Sequence, residues 1–162
     1  MRAHPIAAAL LCAFGSFAAQ AAVIVTHGDP DGFTDAGDRS TDPVKVMKTL
    51  KTHLERLGER YLPPGTDVRI EVIDLDRARR TRMNMPMEMR VINGKTDMPC
   101  MDVSYTVVTN GSASPAVRER VCDPDFLRQL PPRESANDPL VYEKRMLDDW
   151  FRARFGASAK PR

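Results

Sequence analysis

Residues 100–122, CMDVSYTVVTNGSASPAVRERVC, carry the strongest topological signal in the chain. Strand-forming residues fill 101–109 and 116–122, and the Asn110-Gly111 pair lies in the polar segment between them, which is typical of a β-hairpin. If residues whose numbers sum to 222 face each other, the odd-numbered face is mostly apolar and the even-numbered face is polar. The stretch therefore predicts two antiparallel strands with one buried face.

Two cysteines, Cys100 and Cys122, end this predicted hairpin. The same register places them opposite each other, and it places Asp102 opposite Arg120 as a cross-strand charge pair. In an oxidising compartment the two thiols are expected to join. The bridge would close a loop of about 20 residues and contribute roughly 3 kcal/mol in the chain-entropy model. Two separate thiols remain the alternative.

Further elements are predicted before the hairpin. A β-branched run at 22–26 and an alternating run at 67–76 each predict a strand. The Asp42-Pro43 pair predicts the start of a helix, because aspartate is a good N-cap and proline suits the first helical position. The prolines at 63–64 end that helix. Its apolar face consists of Val46, Leu50, Leu54, Leu57 and Tyr61.

A second Asp-Pro pair, Asp138-Pro139, predicts the final helix, which ends at Gly156. Its broad apolar face consists of Leu140, Leu147, Trp150, Phe151 and Phe155. The order of strands and helices shows no strand-helix repeat, so it favours a single α+β domain over 22–156. We expect a mostly antiparallel sheet of four or five strands, with two main helices packed on one face, and a disordered tail at 157–162.

The N-terminus has the features of a secretory signal peptide, which we place at 1–21. Arg2 precedes an uncharged run at 6–19, and Ala19-Gln20-Ala21 is a small-x-small cleavage site. The run of 14 residues is short of the roughly 20 that a transmembrane helix needs. The sequence therefore predicts a periplasmic or secreted protein, cleaved near Ala21 and without a transmembrane anchor.

Composition excludes several classes of protein. The chain has 162 residues, of which 42% are apolar and 28% are charged, and this balance excludes collagen, coiled coils and wholesale disorder. A net charge of +2 without a long basic block argues against nucleic acid as a partner.

An aspartate-rich loop at 27–40 is the densest source of polar side chains. Oxygen-rich loops can hold calcium, and a carboxylate pair could serve a small hydrolase. Aspartates also crowd loops because they form side-chain-to-backbone turns. Since exposed loops often carry function, we predict a binding surface here. It comprises Asp29, Phe33, Asp35, Asp38 and Arg39.

Methionines alternate through the segment 83–89. Thioethers are suitable ligands for monovalent copper, whereas the same period of two along a strand places all four side chains on one packed face. Arginines occur at 77, 79, 80, 82 and 90 and could bind phosphate groups, although a charge run between strands is usually a solvated connection. Packing and solvation are the simpler interpretations of these two segments.

Three stretches resemble a known family. Residues 33–40 (FTDAGDRS), 61–65 (YLPPG) and 138–152 (DPLVYEKRMLDDWFR) are similar to exported bacterial proteins grouped as the domain of unknown function 3016 family. The resemblance spans the chain after the signal peptide, and the last stretch is its most specific part. It implies an envelope location and a single fold unit, and it carries over no catalytic residue, because the family has no established activity.

Together these observations favour an exported, non-catalytic binding module or envelope accessory. No catalytic residue, metal ligand or cofactor is assigned. The partner is unknown, and an envelope protein is one candidate. Two alternatives remain open. One is a metal-binding protein, with calcium at the aspartate loop or monovalent copper at the methionine run. The other is a small hydrolase that uses the aspartate loop.

Overall fold

The computed structural model of the protein describes residues 21–37, 41–78, 80–81, 90–91, 97–128 and 138–156. Several predictions concern residues outside these ranges. They include the signal peptide up to residue 20, Asp38 and Arg39, the methionine run and the tail.

The described strands form a mixed sheet and a small separate pair. In chain order they are β1 (Val23–His27), β2 (Thr66–Asp76), β3 (Arg80–Thr81), β4 (Arg90–Val91), β5 (Cys100–Thr109), β6 (Ser112–Ala113) and β7 (Val117–Cys122). The sheet has β1 parallel to β2, and β2 antiparallel to β5. On its other side β5 pairs with β6 and β7, while β3 pairs only with β4. β1 thus forms one edge of the described sheet, and β6 and β7 form the other.

Two helices, α1 (Pro43–Tyr61) and α2 (Val141–Phe155), cover one face of this sheet. Alternate strand residues such as Val25, Ile70 and Val103 are buried beneath them. Ile24 and Glu71, on the opposite face, are exposed. The predicted α+β architecture, with both helices on one face of a mostly antiparallel sheet, is confirmed.

An irregularity in β2 keeps its core face continuous. The pairing with β5 shifts between Val72 and Asp74, which leaves Ile73 as an extra residue. Because of this bulge, Val72 and Leu75 are both buried although they are three positions apart. The same shift places Asp74 opposite Asp102, on the face of the sheet that has no helices.

The hairpin register predicted from the sequence is confirmed between Cys100 and Tyr105, where paired residues sum to 222. Next to the turn the sum is 221, because Thr109 pairs with Ser112. Asn110 and Gly111 both have positive φ angles, 51° and 80°, as a two-residue turn with matching twist requires. The register therefore changes by one residue within the second strand.

Ser114 accommodates this change of register. Its backbone N–H donates to the Val107 carbonyl at 2.8 Å, and its hydroxyl accepts from the Val107 N–H at 3.1 Å. The following Pro115 has no N–H to pair. An extra residue at this position is a β-bulge, which the period-two pattern of the sequence alone does not reveal.

α1 begins as the sequence predicts. The Asp42 carboxylate accepts from the N–H groups of Val44 and Lys45, and Pro43 takes the first helical position. Near its other end, Gly58 lies against Val23 of β1, where an added Cβ would be 2.3 Å from a valine methyl group. A glycine is required there because the helix and the strand approach so closely.

Removing the cap of α1 is expected to destabilise the protein by about 1 kcal/mol. The substitution Asp42→Ala leaves two N–H groups at the helix start without their carboxylate acceptor, whereas Asp42→Ser retains a capping oxygen. Urea unfolding of both variants measures the difference. If Asp42→Ala is as stable as the wild type, the carboxylate contributes nothing as a cap.

α2 begins later than predicted. The Asp138 carboxylate accepts from the Leu140 N–H at 2.9 Å, and the backbone carbonyl of Asp138 accepts from the Val141 N–H. Asp138 and Pro139 therefore form a turn before the helix. The helix itself starts at Val141, with Leu140 as an N-cap that makes no side-chain hydrogen bond. The predicted start at Asp138-Pro139 was wrong, because aspartate can cap a turn as readily as a helix.

Candidate functional site

The first half of the aspartate loop is a local turn. Pro30–Gly32 forms a single turn of 3-10 helix, and the Asp29 carboxylate caps it by accepting from the Asp31 N–H at 3.1 Å. Phe33 follows the turn and is half-buried, packed against the hydrophobic core. Asp29 thus performs the turn chemistry that aspartates commonly supply in loops.

The second half of the loop is fastened to the end of β2. Thr34 donates its N–H and its hydroxyl to the carboxylate of Asp74, at 2.7 and 2.6 Å. The backbone of Asp35 forms a bridge with that of Asp76. Burial and the negative charge of Asp35 raise the pKa of Asp76. Burial also acts to raise the pKa of Asp74, but the hydrogen bonds from Thr34 and from the Leu75 backbone, together with the positive charge of Arg120, outweigh it and lower that pKa.

Arg77 contradicts the prediction of a solvated arginine connection. Only 3% of the residue is exposed, and its guanidinium donates to the carbonyl of Asp35 at 3.2 Å and to its carboxylate at 3.3 Å. A buried charge requires a partner of opposite sign. Arg77 therefore joins the loop to the sheet, and the sequence gives no sign of this because Arg77 begins a run of arginines that continues at 79, 80 and 82.

The binding surface predicted on this loop stays a prediction. Asp35 is brought against the end of β2, whereas Asp29 caps its local turn and Phe33 packs on the core. Asp38 and Arg39 lie outside the described residues. Among the described residues, no group of three or more histidine, cysteine, aspartate or glutamate side chains is arranged to hold a metal ion. The copper prediction for the methionine run lies outside the described residues.

The charged residues early in α2 connect it to distant parts of the chain. Glu143 is fully buried, and its Oε1 accepts from the Ala78 N–H at 2.9 Å, just after β2. Arg145 donates to the Asp123 carboxylate at 2.8 Å and to the Phe126 carbonyl, just after β7. These contacts fix the start of α2 relative to the ends of two strands.

A third connection joins α2 to α1. The His53 ring nitrogen Nε2 lies 3.1 Å from Asp148 Oδ1 and 3.2 Å from the Lys144 carbonyl oxygen. Lys144 in turn donates to Asp138. Burial acts to raise the pKa of Asp138, but the hydrogen bonds from Lys144 and from the Leu140 N–H, together with nearby positive charge, outweigh it and lower that pKa. The charged side chains of the helix are thus used for tertiary contacts.

A partly open pocket of about 260 Å³ lies between β7 and α2. Its apolar walls include Val121, Met146 and Trp150, all of which are buried residues of the core. The full lining consists of Glu119, Arg120, Val121, Cys122, Asp123, Met146, Asp149 and Trp150. The pocket therefore combines three apolar side chains with three carboxylates and one guanidinium.

Each pocket carboxylate is held by an arginine that is not part of the lining. Glu119 accepts from Arg154, Asp123 accepts from Arg145, and Asp149 accepts from Arg152. The indole N–H of Trp150 also donates to Glu119, at 3.2 Å. The hydrogen bond from Arg154 is the largest cause that lowers the pKa of Glu119. The carboxylates therefore have fixed positions beside the pocket.

The substitution Glu119→Gln is expected to destabilise the protein by about 1 kcal/mol at pH 7, the upper range for a partly exposed ion pair. The folded carboxyl has a lowered pKa, so its contribution is complete above the ordinary value of 4.5 and is lost as the pH falls through the folded value. The difference in the free energy of unfolding between the wild type and Glu119→Gln should thus be smaller at pH 3 than at pH 7. Urea unfolding at both pH values measures it, with Glu59→Gln on α1 as control, and a pH-independent gap would contradict the assignment.

The disulfide predicted from the hairpin register is present, with Cys100 and Cys122 directly paired across β5 and β7. Their sulfur atoms are joined, and Cys122 also contributes to the wall of the pocket. The predicted charge pair next to it is present as well, with Arg120 3.2 Å from the Asp102 carboxylate. The strand β7, which lines the pocket, is therefore covalently attached to β5 at its end.

The match with a protein family covers nearly all of these contacts. A family profile described as "Protein of unknown function (DUF3016)" matches residues 21–153. The chain belongs to DUF3016. No curated protein matches it. The DUF3016 match includes both walls of the pocket, and it begins just before β1, at the predicted cleavage site. In the described residues of this DUF3016 chain, none of the helices is long and apolar enough to cross a membrane.

Sequence reasoning missed the pocket of this DUF3016 chain. Its walls come from 119–123 and 146–150, which no local pattern relates to each other. One signal was available, because Met146, Asp149 and Trp150 have the spacing of neighbours on one helical face. That spacing places an aspartate beside two apolar residues, which is unusual for a helix face that only packs.

Proposed function

We propose that this DUF3016 protein is exported to the bacterial envelope and acts there as a non-catalytic binding module. The observation that carries the proposal is the pocket between β7 and α2, where buried apolar side chains meet carboxylates held by arginines. Sites of recognition commonly combine an apolar interior with a few fixed polar groups. The contacts that hold the carboxylates suit recognition, because they position polar groups without a partner's help.

Two observations support export. Disulfides form and persist in oxidising compartments, and this chain has one between Cys100 and Cys122. Cleavage after Ala21 would leave Ala22 as the N-terminus, just before β1. The Ala22 nitrogen donates to the Asp67 carboxylate at 3.0 Å. In the cleaved protein this nitrogen is an ammonium group, so the carboxylate is already placed to accept it as an ion pair.

Export is tested by producing the full chain in a bacterial host and measuring the intact mass of the protein in the periplasmic fraction. We expect a product that begins at Ala22 and contains the disulfide. As a matched control, a variant with Ala19 and Ala21 both replaced by arginine should remain uncleaved, because the processing site needs small residues. Wild-type protein that retains Met1 and stays in the cytosol would contradict the export proposal.

Binding is tested by site-specific photo-cross-linking in the intact envelope. A photo-reactive residue at Asp149, on the rim of the pocket, should give a discrete adduct whose partner is then purified and rebound to the wild-type protein. The control position is Glu59, on the exposed side of α1. This part of α1 packs against β1, which is at the edge of the sheet opposite to β7. Equal adducts from both positions, or none from position 149, would contradict a binding role for the pocket.

A further inference from the structure

We propose that the pocket receives a lysine or arginine side chain from an extended peptide that adds as a strand to the outer edge of β7. This inference rests on the proposed function and specifies the ligand of the same site. It follows from three features: the position of β7 in the sheet, the size of the pocket and the distribution of charge around both.

Within the described residues, β7 is hydrogen-bonded to a strand on one side only, where it pairs with β5. An edge strand presents backbone donors and acceptors along its outer side, and an added peptide can pair with them. Four consecutive residues of β7, from Glu119 to Cys122, line the pocket, which therefore runs beside this edge. Alternate side chains of an added strand would point towards it.

The volume of about 260 Å³ favours a single side chain over a whole metabolite. Pockets for small molecules and cofactors are commonly about 300–1,000 Å³ and enclose most of the ligand. This pocket is smaller and partly open, and it lies along a strand. A peptide satisfies both conditions, since one side chain fills the pocket while the backbone continues along β7.

The lining selects the kind of side chain. Val121, Met146 and Trp150 supply apolar walls. The charges of Glu119, Asp123 and Asp149 are offset by their arginine partners, but Asp149 meets Arg152 through Oδ1, which leaves its other oxygen to accept from a ligand. The single guanidinium of the lining, that of Arg120, is paired with Asp102 on the other face of the sheet. Lysine and arginine match this arrangement, because an aliphatic stem packs on the apolar walls while the cationic head reaches the Asp149 carboxylate on the rim.

The opposite face of β7 selects the neighbouring residues of the peptide. Arg118 and Arg120 are both exposed there, at the positions that alternate with the pocket-facing Glu119 and Val121. Opposite charges on facing positions of adjacent strands are favourable, whereas like charges are unfavourable. The preferred peptide therefore carries a basic residue towards the pocket, with an acidic residue on each side of it.

Trp150 is the only tryptophan of the chain and lies in the pocket wall, so its fluorescence reports on occupancy. The probes are two synthetic nonapeptides with the same threonine and valine flanks and the central triplets Glu-Lys-Glu or Lys-Glu-Lys. We expect the first to shift the Trp150 emission and to bind at least tenfold more tightly than the second. A version of the first peptide with alternate backbone nitrogens methylated should lose at least tenfold in affinity, because it cannot pair with β7.

Two variants complete the experiment. Asp149→Asn, on the pocket rim, should weaken the Glu-Lys-Glu peptide at least threefold, whereas Glu59→Gln, on the exposed side of α1, should leave its affinity unchanged. Equal binding of the two triplets, no effect of methylation, or no peptide binding at all would overturn the inference. The proposed function would still stand in that case if the photo-cross-link from position 149 identifies a partner, so the two failures are distinguishable.

Discussion

Reduction of the Cys100–Cys122 disulfide is expected to lower the free energy of unfolding by about 3 kcal/mol. The cysteines are separated by 22 positions, and in the chain-entropy model a loop of this length restricts the unfolded chain by that amount. The bond also fixes β7 to β5 at the end of their paired region. Urea unfolding with and without reductant measures the change as a shift of the midpoint.

The double variant Cys100→Ala plus Cys122→Ala separates this effect from other actions of the reductant. It is expected to unfold near the midpoint of the reduced wild type, and adding reductant should not move its midpoint further. If the wild type unfolds at the same urea concentration in both redox states, the disulfide does not stabilise the native protein. The same measurement on protein recovered from the cytosol and from the periplasm relates stability to the compartment.

The substitution Glu143→Ala is expected to cost about 3 kcal/mol and to lower the melting temperature by roughly 10 °C. Glu143 is fully buried, and its carboxylate accepts from the backbone N–H of the equally buried Ala78. Truncation leaves that N–H without this acceptor and creates a cavity where the side chain was. Thermal and urea unfolding of the purified variant measure the loss.

Glu143→Gln provides the matched control. It preserves the length of the side chain and an amide oxygen that can accept from Ala78, so most of the stability should remain. A result in which both variants are as stable as the wild type would contradict the role assigned to Glu143. If Glu143→Ala and Glu143→Gln lowered the free energy of unfolding by the same amount, the carboxylate charge would matter more than the hydrogen bond to Ala78.

Local patterns predicted the elements of the fold well. The hairpin register followed from the alternation of apolar and polar residues, and the start of α1 followed from the Asp42-Pro43 pair. The parallel pairing of β1 with β2 had no local signal, because 38 residues lie between the end of β1 at His27 and the start of β2 at Thr66. Choosing a strand's neighbour depends on packing across the whole sheet, which no single segment encodes.

The charged residues show the same limit more clearly. Arg77 stands among arginines in the sequence, and only the folded chain brings it against Asp35. Glu143 lies near the start of a helix, where an exposed acidic residue would be ordinary, yet it is buried against Ala78. In both cases the sequence shows the charge but not its partner. Contacts between distant segments therefore account for most of what could not be predicted, including the pocket.

One consequence follows from how β7 is attached. The hairpin turn at Asn110-Gly111 connects β5 to β7 through the chain, and the disulfide connects their far ends, so the two strands form a closed covalent ring. An outer strand of a sheet can often leave its own molecule and complete the sheet of another copy, which is domain swapping. In the oxidised protein, β7 cannot exchange in this way. The strand β7, to which we propose that a foreign peptide adds, is thus held in its own sheet by the disulfide.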